Sequence, residues 1–96
     1  MHTDDGLEVV EVPARERWEG RLAGRTVAVL DTPVRDGVVA FPHTEADPTH
    51  RGAGIADRLV SAAFAAVRER GQRARPQCSY VVRWVAEHPE QADLVA

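Results

Sequence analysis

His43 and Glu45 stand two apart, Arg51-Gly52-Ala53-Gly54-Ile55-Ala56 follows a few residues later, and Cys78 is the only cysteine. A histidine and a carboxylate at alternate positions can accept or relay a proton, the work of a general acid or base. The glycine-containing run opens a helical pattern, so its backbone N–H groups should point out along the axis with the positive end of the helix dipole, an anion site. Small side chains at Gly52, Ala53 and Gly54 let a bulky diphosphate approach the main chain. The plainer alternative is that the glycines only permit a tight loop and that Arg51 is a solvated charge. No Lys-Ser/Thr pair follows, so the run is not a nucleotide P-loop, and one G-x-G falls short of a dinucleotide fingerprint. Cys78 is either a small buried hydrophobe or, beside a histidine or a helix start, a stabilised thiolate.

The elements that must position these residues read as β-β-β-β-α-β-α. Leu7 to Val12 is a first strand closed by Pro13, Arg15 to Leu22 a second with Trp18, Gly20 and Leu22 on alternate positions, and Thr26 to Leu30 a third. Gly37 to Ala46 is the fourth, where strict alternation puts Val39, Phe41, His43 and Glu45 on one face, apolar at its start and ionisable at its end. Pro42 inside it has no ladder N–H, so the strand should be at an edge, bulged or splayed there. After the loop Asp47-Pro48-Thr49-His50, residues Ile55, Leu59, Ala62, Ala63, Ala66 and Val67 recur at helical spacing up to Gly71. Ala74 to Ser79 is a brief strand, and Tyr80 to Glu87 a second helix ended by His88-Pro89.

A chain of 96 residues supports one small core, built mainly from Val, Leu and Ala because 44% of residues are hydrophobic while Trp, Tyr and Phe number only 2, 1 and 2. One compact domain is expected. The formal charge of -3 and the absence of lysine argue against a nucleic-acid binder. A lone cysteine forms no internal disulfide, and a reducing cytoplasm is the expected compartment. The acidic stretch from Met1 to Glu11 is unlike a signal peptide, and no run reaches the roughly 20 apolar residues of a membrane span. The four histidines and Cys78 form no zinc spacing, so no metal is expected.

Arg51-x-x-Gly54-x-Ala56 resembles the Q/R-x-x-G-x-G/A acetyl-CoA motif of the GNAT superfamily. His43-Thr44-Glu45, the Arg51 to Ala56 run, Pro76-x-Cys78-Ser79-Tyr80-Val81 and His88-Pro89-Glu90 together resemble a GNAT-like group of N-acetyltransferase domains of about this length, across Gly37 to Val95. The resemblance implies an α/β fold with a mixed, mainly antiparallel sheet and two helices. It also implies a splay between the fourth and fifth strands, where pantetheine lies as a surrogate strand and the pyrophosphate meets the helix start. Acetyl-CoA would then be held by Thr44, Arg51, Gly52, Ala53, Gly54, Ile55 and Ala56, and acetyl would pass to an amine on a protein or a polyamine.

On that resemblance Glu45 or His43 takes the amine proton, directly or through water, and a main-chain N–H near Pro42 to Thr44 polarises the thioester. Cys78 lies near the thioester, as an acid toward the departing thiolate or as an acyl acceptor. Tyr80 falls in the second helix, with packing as its expected role and general acid as the alternative. His88, at the end of that helix, suits the negative end of its dipole. Ala46 stands where the group commonly has valine, and the acceptor-pocket helices of full-length GNAT enzymes have no counterpart here. The alternatives are therefore a non-catalytic CoA or acyl-CoA module and a protein interaction domain.

Overall fold

Apolar and β-branched runs cut by tight turns build the first half of the chain, and helical periodicity builds most of the second. The computed structural model describes residues 6–50 and 54–96, so Arg51, Gly52 and Ala53 of the expected phosphate loop lie outside the described residues. In order the chain forms β1 (Glu8–Val12), β2 (Arg17–Leu22), β3 (Arg25–Asp31), β4 (Val34–Arg35), β5 (Val38–Phe41), β6 (Thr44–Ala46), α1 (Ile55–Glu69), β7 (Arg73–Pro76) and α2 (Ser79–Glu87). The turn between β2 and β3 is the two residues Ala23 and Gly24, both at positive φ, as a tight hairpin of this hand requires. Asp36 and Gly37 repeat it between β4 and β5.

Two sheets result, one in the order β1-β2-β3-β6 and one in the order β4-β5-β7. Every pair is antiparallel except β5 with β7, which run parallel and are joined through α1. This is the expected α/β fold with a mixed, mainly antiparallel sheet and two helices, but three details differ from the sequence reading. The strand expected over 37–46 is two strands, β5 and β6, that belong to different sheets. The two-residue β4 was hidden between Pro33 and the Asp36-Gly37 turn. The strand expected over 74–79 runs Arg73–Pro76, and Cys78 is instead the N-cap of α2.

The core lies between α1, α2 and one face of the sheets. Leu30, Phe41, Leu59, Val60, Phe64, Val67 and Val81 are its largest fully buried side chains. Phe41 on β5 meets Phe64 on α1 at 4.9 Å between ring centres, and Phe64 meets Trp84 on α2 at 4.8 Å. Contacts of this kind add about 0.5–1.5 kcal/mol each beyond area burial. Gly20 marks where α1 crosses β2. A Cβ there would sit 3.1 Å from both Ile55 and Leu59.

Cross-strand partners share a face, so Gly20, Ala28 and Ala46 all look toward α1, while Glu19, Val29 and Glu45 occupy the opposite face. On that second face Glu19 is buried by its own partners. Arg17 Nε donates to its carboxylate at 2.7 Å, Arg21 Nη2 at 2.8 Å and the Thr26 hydroxyl at 3.1 Å. Hydrogen bonds from Arg21 and Arg17 hold the Glu19 carboxyl at about 2, against the upward push of burial. Among the described residues, no helix is long and apolar enough to cross a membrane.

Two stability measurements check this account. Gly20→Val forces a branched side chain against Ile55 and Leu59 and should cost about 1–3 kcal/mol in urea unfolding. Because Arg21 and Arg17 hold the Glu19 carboxyl at about 2 in the folded chain, below the ordinary glutamate range, its contribution is complete above the range in which an unfolded glutamate titrates and is lost as pH falls toward 2. Glu19→Gln should therefore be weaker at neutral pH by about 1–3 kcal/mol and should lose less of its remaining stability on acidification than the wild type does.

Candidate functional site

At the start of α1, Gly54 adopts the left-handed conformation at φ 70° as N-cap, where a side chain would be strained. The first helical hydrogen bond runs from Arg58 N–H to Gly54 C=O. The N–H groups of Ile55, Ala56 and Asp57 precede it and point out of the helix end. Ile55 itself is buried in the core, so it offers only its main chain to this end, while Ala56 is half-buried and Gly54 exposed.

The second part of the site is the gap between β6 and β7. β5 and β7 stay in register to Phe41 and Pro76, and Phe41 C=O then accepts from both Gln77 N–H and Cys78 N–H. Past Pro42 the chain leaves β7 and joins β3. Asp47 N–H donates to Val27 C=O and Asp31 N–H to His43 C=O. Alternation along an antiparallel strand then turns the main-chain groups of Thr44 and Ala46 to the other edge of β6, toward β7.

Cys78 lies across that gap, with its sulfur 3.4 Å from the Thr44 hydroxyl. Burial pushes the Cys78 thiol up, but the Thr44 hydroxyl and the N–H groups of Val81, Tyr80 and Thr44 outweigh it, and the net direction is down. The sulfur makes no formal capping hydrogen bond to α2. Its thiolate is favoured by the dipoles of that first turn instead.

His43 and Glu45 form a separate pair, with His43 Nε2 3.1 Å from Glu45 Oε1, and both side chains are exposed. The expected common face of Phe41, His43 and Glu45 does not form. Phe41 is fully buried in the core, whereas Glu45 looks away from α1 into an open cleft of about 400 Å³ also lined by Arg17, Thr26, Asp47 and Pro48. The structure thus joins Thr44 to Cys78 and His43 to Glu45, and sets the two pairs on opposite faces of β6.

Tyr80 donates its hydroxyl to Asp57 in the first turn of α1, a contact the sequence did not announce. Burial, and then this hydrogen bond to Asp57, push the Tyr80 phenol up. His88 stacks on Trp84 at 4.1 Å and donates Nδ1–H to Trp84 C=O at 2.7 Å, which ties it to the end of α2 as expected.

Residues 17–94 match the GCN5-related N-acetyl-transferase family. Over 86 residues the chain is 38% identical to Protein NATD1 of Gallus gallus, an alignment covering 86% of this chain and 77% of that one. It is 40% identical over 52 residues to Protein NATD1 of Bos taurus, covering 54% of this chain and 46% of the bovine protein's length. The solution structure of a GCN5-like protein from Staphylococcus aureus superposes with a TM-score of 0.69 at 17% identity, over 95% of this chain and 89% of that one. That likeness is one of fold.

The Cys78 environment makes its own prediction. The pH midpoint for alkylation of Cys78 by iodoacetamide should lie below that of an unstructured cysteine peptide, and Thr44→Val should move it up. A midpoint unchanged in Thr44→Val would remove the Thr44 hydroxyl from the thiolate's support.

Proposed function

This chain belongs to the GCN5-related N-acetyl-transferase family, and from that premise we propose that it binds acetyl-CoA along the outer edge of β6 and transfers the acetyl group to an amine. The observation that carries the reading is the separation of β6 from β7 at Pro42, which turns main-chain groups of Thr44 and Ala46 toward the gap. An extended ligand with its own amides, such as pantetheine, pairs with such an edge as a strand would. Its diphosphate then falls at the start of α1, on the N–H groups of Gly54, Ile55 and Ala56. Arg51, Gly52 and Ala53 belong to the same proposed cradle.

In the transfer the amine nitrogen attacks the thioester carbon, the C–N bond forms, the C–S bond breaks, and the electron pair leaves with the CoA sulfur. One proton must leave the amine and one must reach that sulfur. Glu45 takes the first, directly or through a water held with His43. Thr44 N–H, which faces the gap beside the Cys78 sulfur, turns to the carbonyl oxygen once the thioester is seated there and polarises it. Cys78 gives the second proton. A thiol more acidic than an ordinary one protonates an ordinary thiolate downhill, which supports the acid role. The acceptor is an amine on a protein or a polyamine, approaching from the open face where Glu45 lies.

Calorimetric titration with CoA and acetyl-CoA tests the binding half. Saturable binding is expected, weakened at least about tenfold in Gly54→Trp, whose indole strains the N-cap and covers the N–H groups. Turnover on a panel of primary amines should fall about 10²–10⁴-fold in Glu45→Gln, with acetyl-CoA affinity unchanged. Absence of binding to the wild type overturns the reading. Binding without turnover on any amine leaves a CoA-holding module in its place.

A further inference from the structure

α1 carries a competitor for its own anion site. With Gly54 as N-cap, Asp57 is the third helical residue, the position from which an acidic side chain reaches back toward the unpaired N–H groups of the helix start. The helix dipole favours a carboxylate there, and Gly54 has no side chain with which to cap those donors. A free Asp57 would fold onto the same N–H groups that a diphosphate needs.

Tyr80 engages Asp57 from the neighbouring helix instead. Its hydroxyl donates to Asp57 Oδ1 from the first turn of α2. Tyr80 is itself held, with the Arg83 guanidinium 5.8 Å from its ring centre. These side chains line a polar recess of about 240 Å³ with Trp84 and Glu87. Behind it, the Phe64–Trp84 contact fixes the spacing of the two helices.

We propose that Tyr80 is a positioning residue that draws the Asp57 carboxylate sideways, off the start of α1, and so keeps that end open for the phosphates of an acyl-CoA. This rests on the cofactor reading above. Tyr80 acts through Asp57 and touches no reacting atom.

A simple structural tie between α1 and α2 makes a different prediction. If the contact only joined the helices, cutting it from either side would weaken ligand binding alike. Under the proposal the two cuts have opposite effects, because only the loss of Tyr80 sets the carboxylate free.

The test is a calorimetric Kd for CoA, at low ionic strength, on the wild type, Tyr80→Phe, Asp57→Ala and the double variant, with thermal melts as the control for folding. Tyr80→Phe should bind about five- to tenfold more weakly, the scale of bringing the existing Asp57 charge closer to the phosphates in partly screened surroundings. Asp57→Ala should bind as tightly as the wild type or more so, and the double variant should match Asp57→Ala. Weakening in Asp57→Ala equal to that in Tyr80→Phe overturns the proposal. So does wild-type affinity in Tyr80→Phe, or a double variant as weak as Tyr80→Phe alone. Should Tyr80→Phe melt, Asp57→Ala removes only an exposed side chain and decides the matter by itself. A wild type that binds no CoA overturns the cofactor reading and this proposal together, whereas a binding wild type with the wrong pattern of variants overturns only this one.

Discussion

Pro42 stands where the chain changes the edge along which it pairs: Phe41 C=O still faces β7, whereas His43 C=O faces β3. β5 keeps its parallel register with β7 as far as Phe41 and Pro76. Ala40 N–H points the other way, to Pro33 C=O, and Pro42 shares that edge, so the ladder to β7 ends because the pairing edge switches after Phe41 rather than through a bond the proline cannot make. The chain is then free to pair with β3, where His43 C=O and Asp47 N–H close the register at either end of β6. Phe41 C=O, left at the fork, accepts from both Gln77 and Cys78 and anchors the far side. Two strand ends are therefore held a fixed distance apart by hydrogen bonds behind them, and the edge of β6 faces the space between.

What opens onto that space depends on the two helices. Asp57 meets Tyr80 near their starts, Phe64 meets Trp84 further along, and Arg68 near the end of α1 reaches Asp93 just past α2. The contacts follow the same order in both helices, so α1 and α2 run side by side in one direction. Their positive ends thus converge at the carboxyl ends of β5 and β7, the end of parallel strands at which open α/β sheets bind ligands. With so few aromatic residues in the chain, placing Phe41, Phe64 and Trp84 in one column concentrates the available bulk where it fixes this convergence.

Much of this was legible in the sequence, because its causes are local. Helical spacing from Ile55 to Val67 and the positive-φ residue Gly71 defined α1 closely, and Pro42 marked the fork. What alternation could not supply was the face of β6, since that is set by the pairing of Leu30 with Thr44, residues far apart in the chain. Simple alternation puts Phe41 and Glu45 on one face, and the change of pairing edge at Pro42 divides them. β7 stops at Pro76 as the first strand stops before Pro13, which leaves Cys78 past its end as the N-cap of α2. Arg17, Glu19 and Arg21, alternating on one strand, did carry a readable sign of a shared face. The Asp57–Tyr80 bond, 23 residues apart, carried none.

The division of the polar residues across β6 bears on the proposed reaction. A base and an acid that touch each other exchange a proton and lose the states in which both are useful. Glu45 looks into the open cleft and pairs with His43, while Cys78 reaches Thr44 from the helix side. One short strand thus insulates the two groups while keeping both within a residue or two of the same main-chain edge. An amine entering from the open face meets the carboxylate first, and a sulfur leaving toward α2 meets the thiol. The Thr44–Cys78 contact serves both requirements, because it supports the thiolate and leaves the Glu45 side of the strand untouched. The same alternation that misled a reading of one continuous strand is, within β6 alone, what keeps the two proton transfers apart.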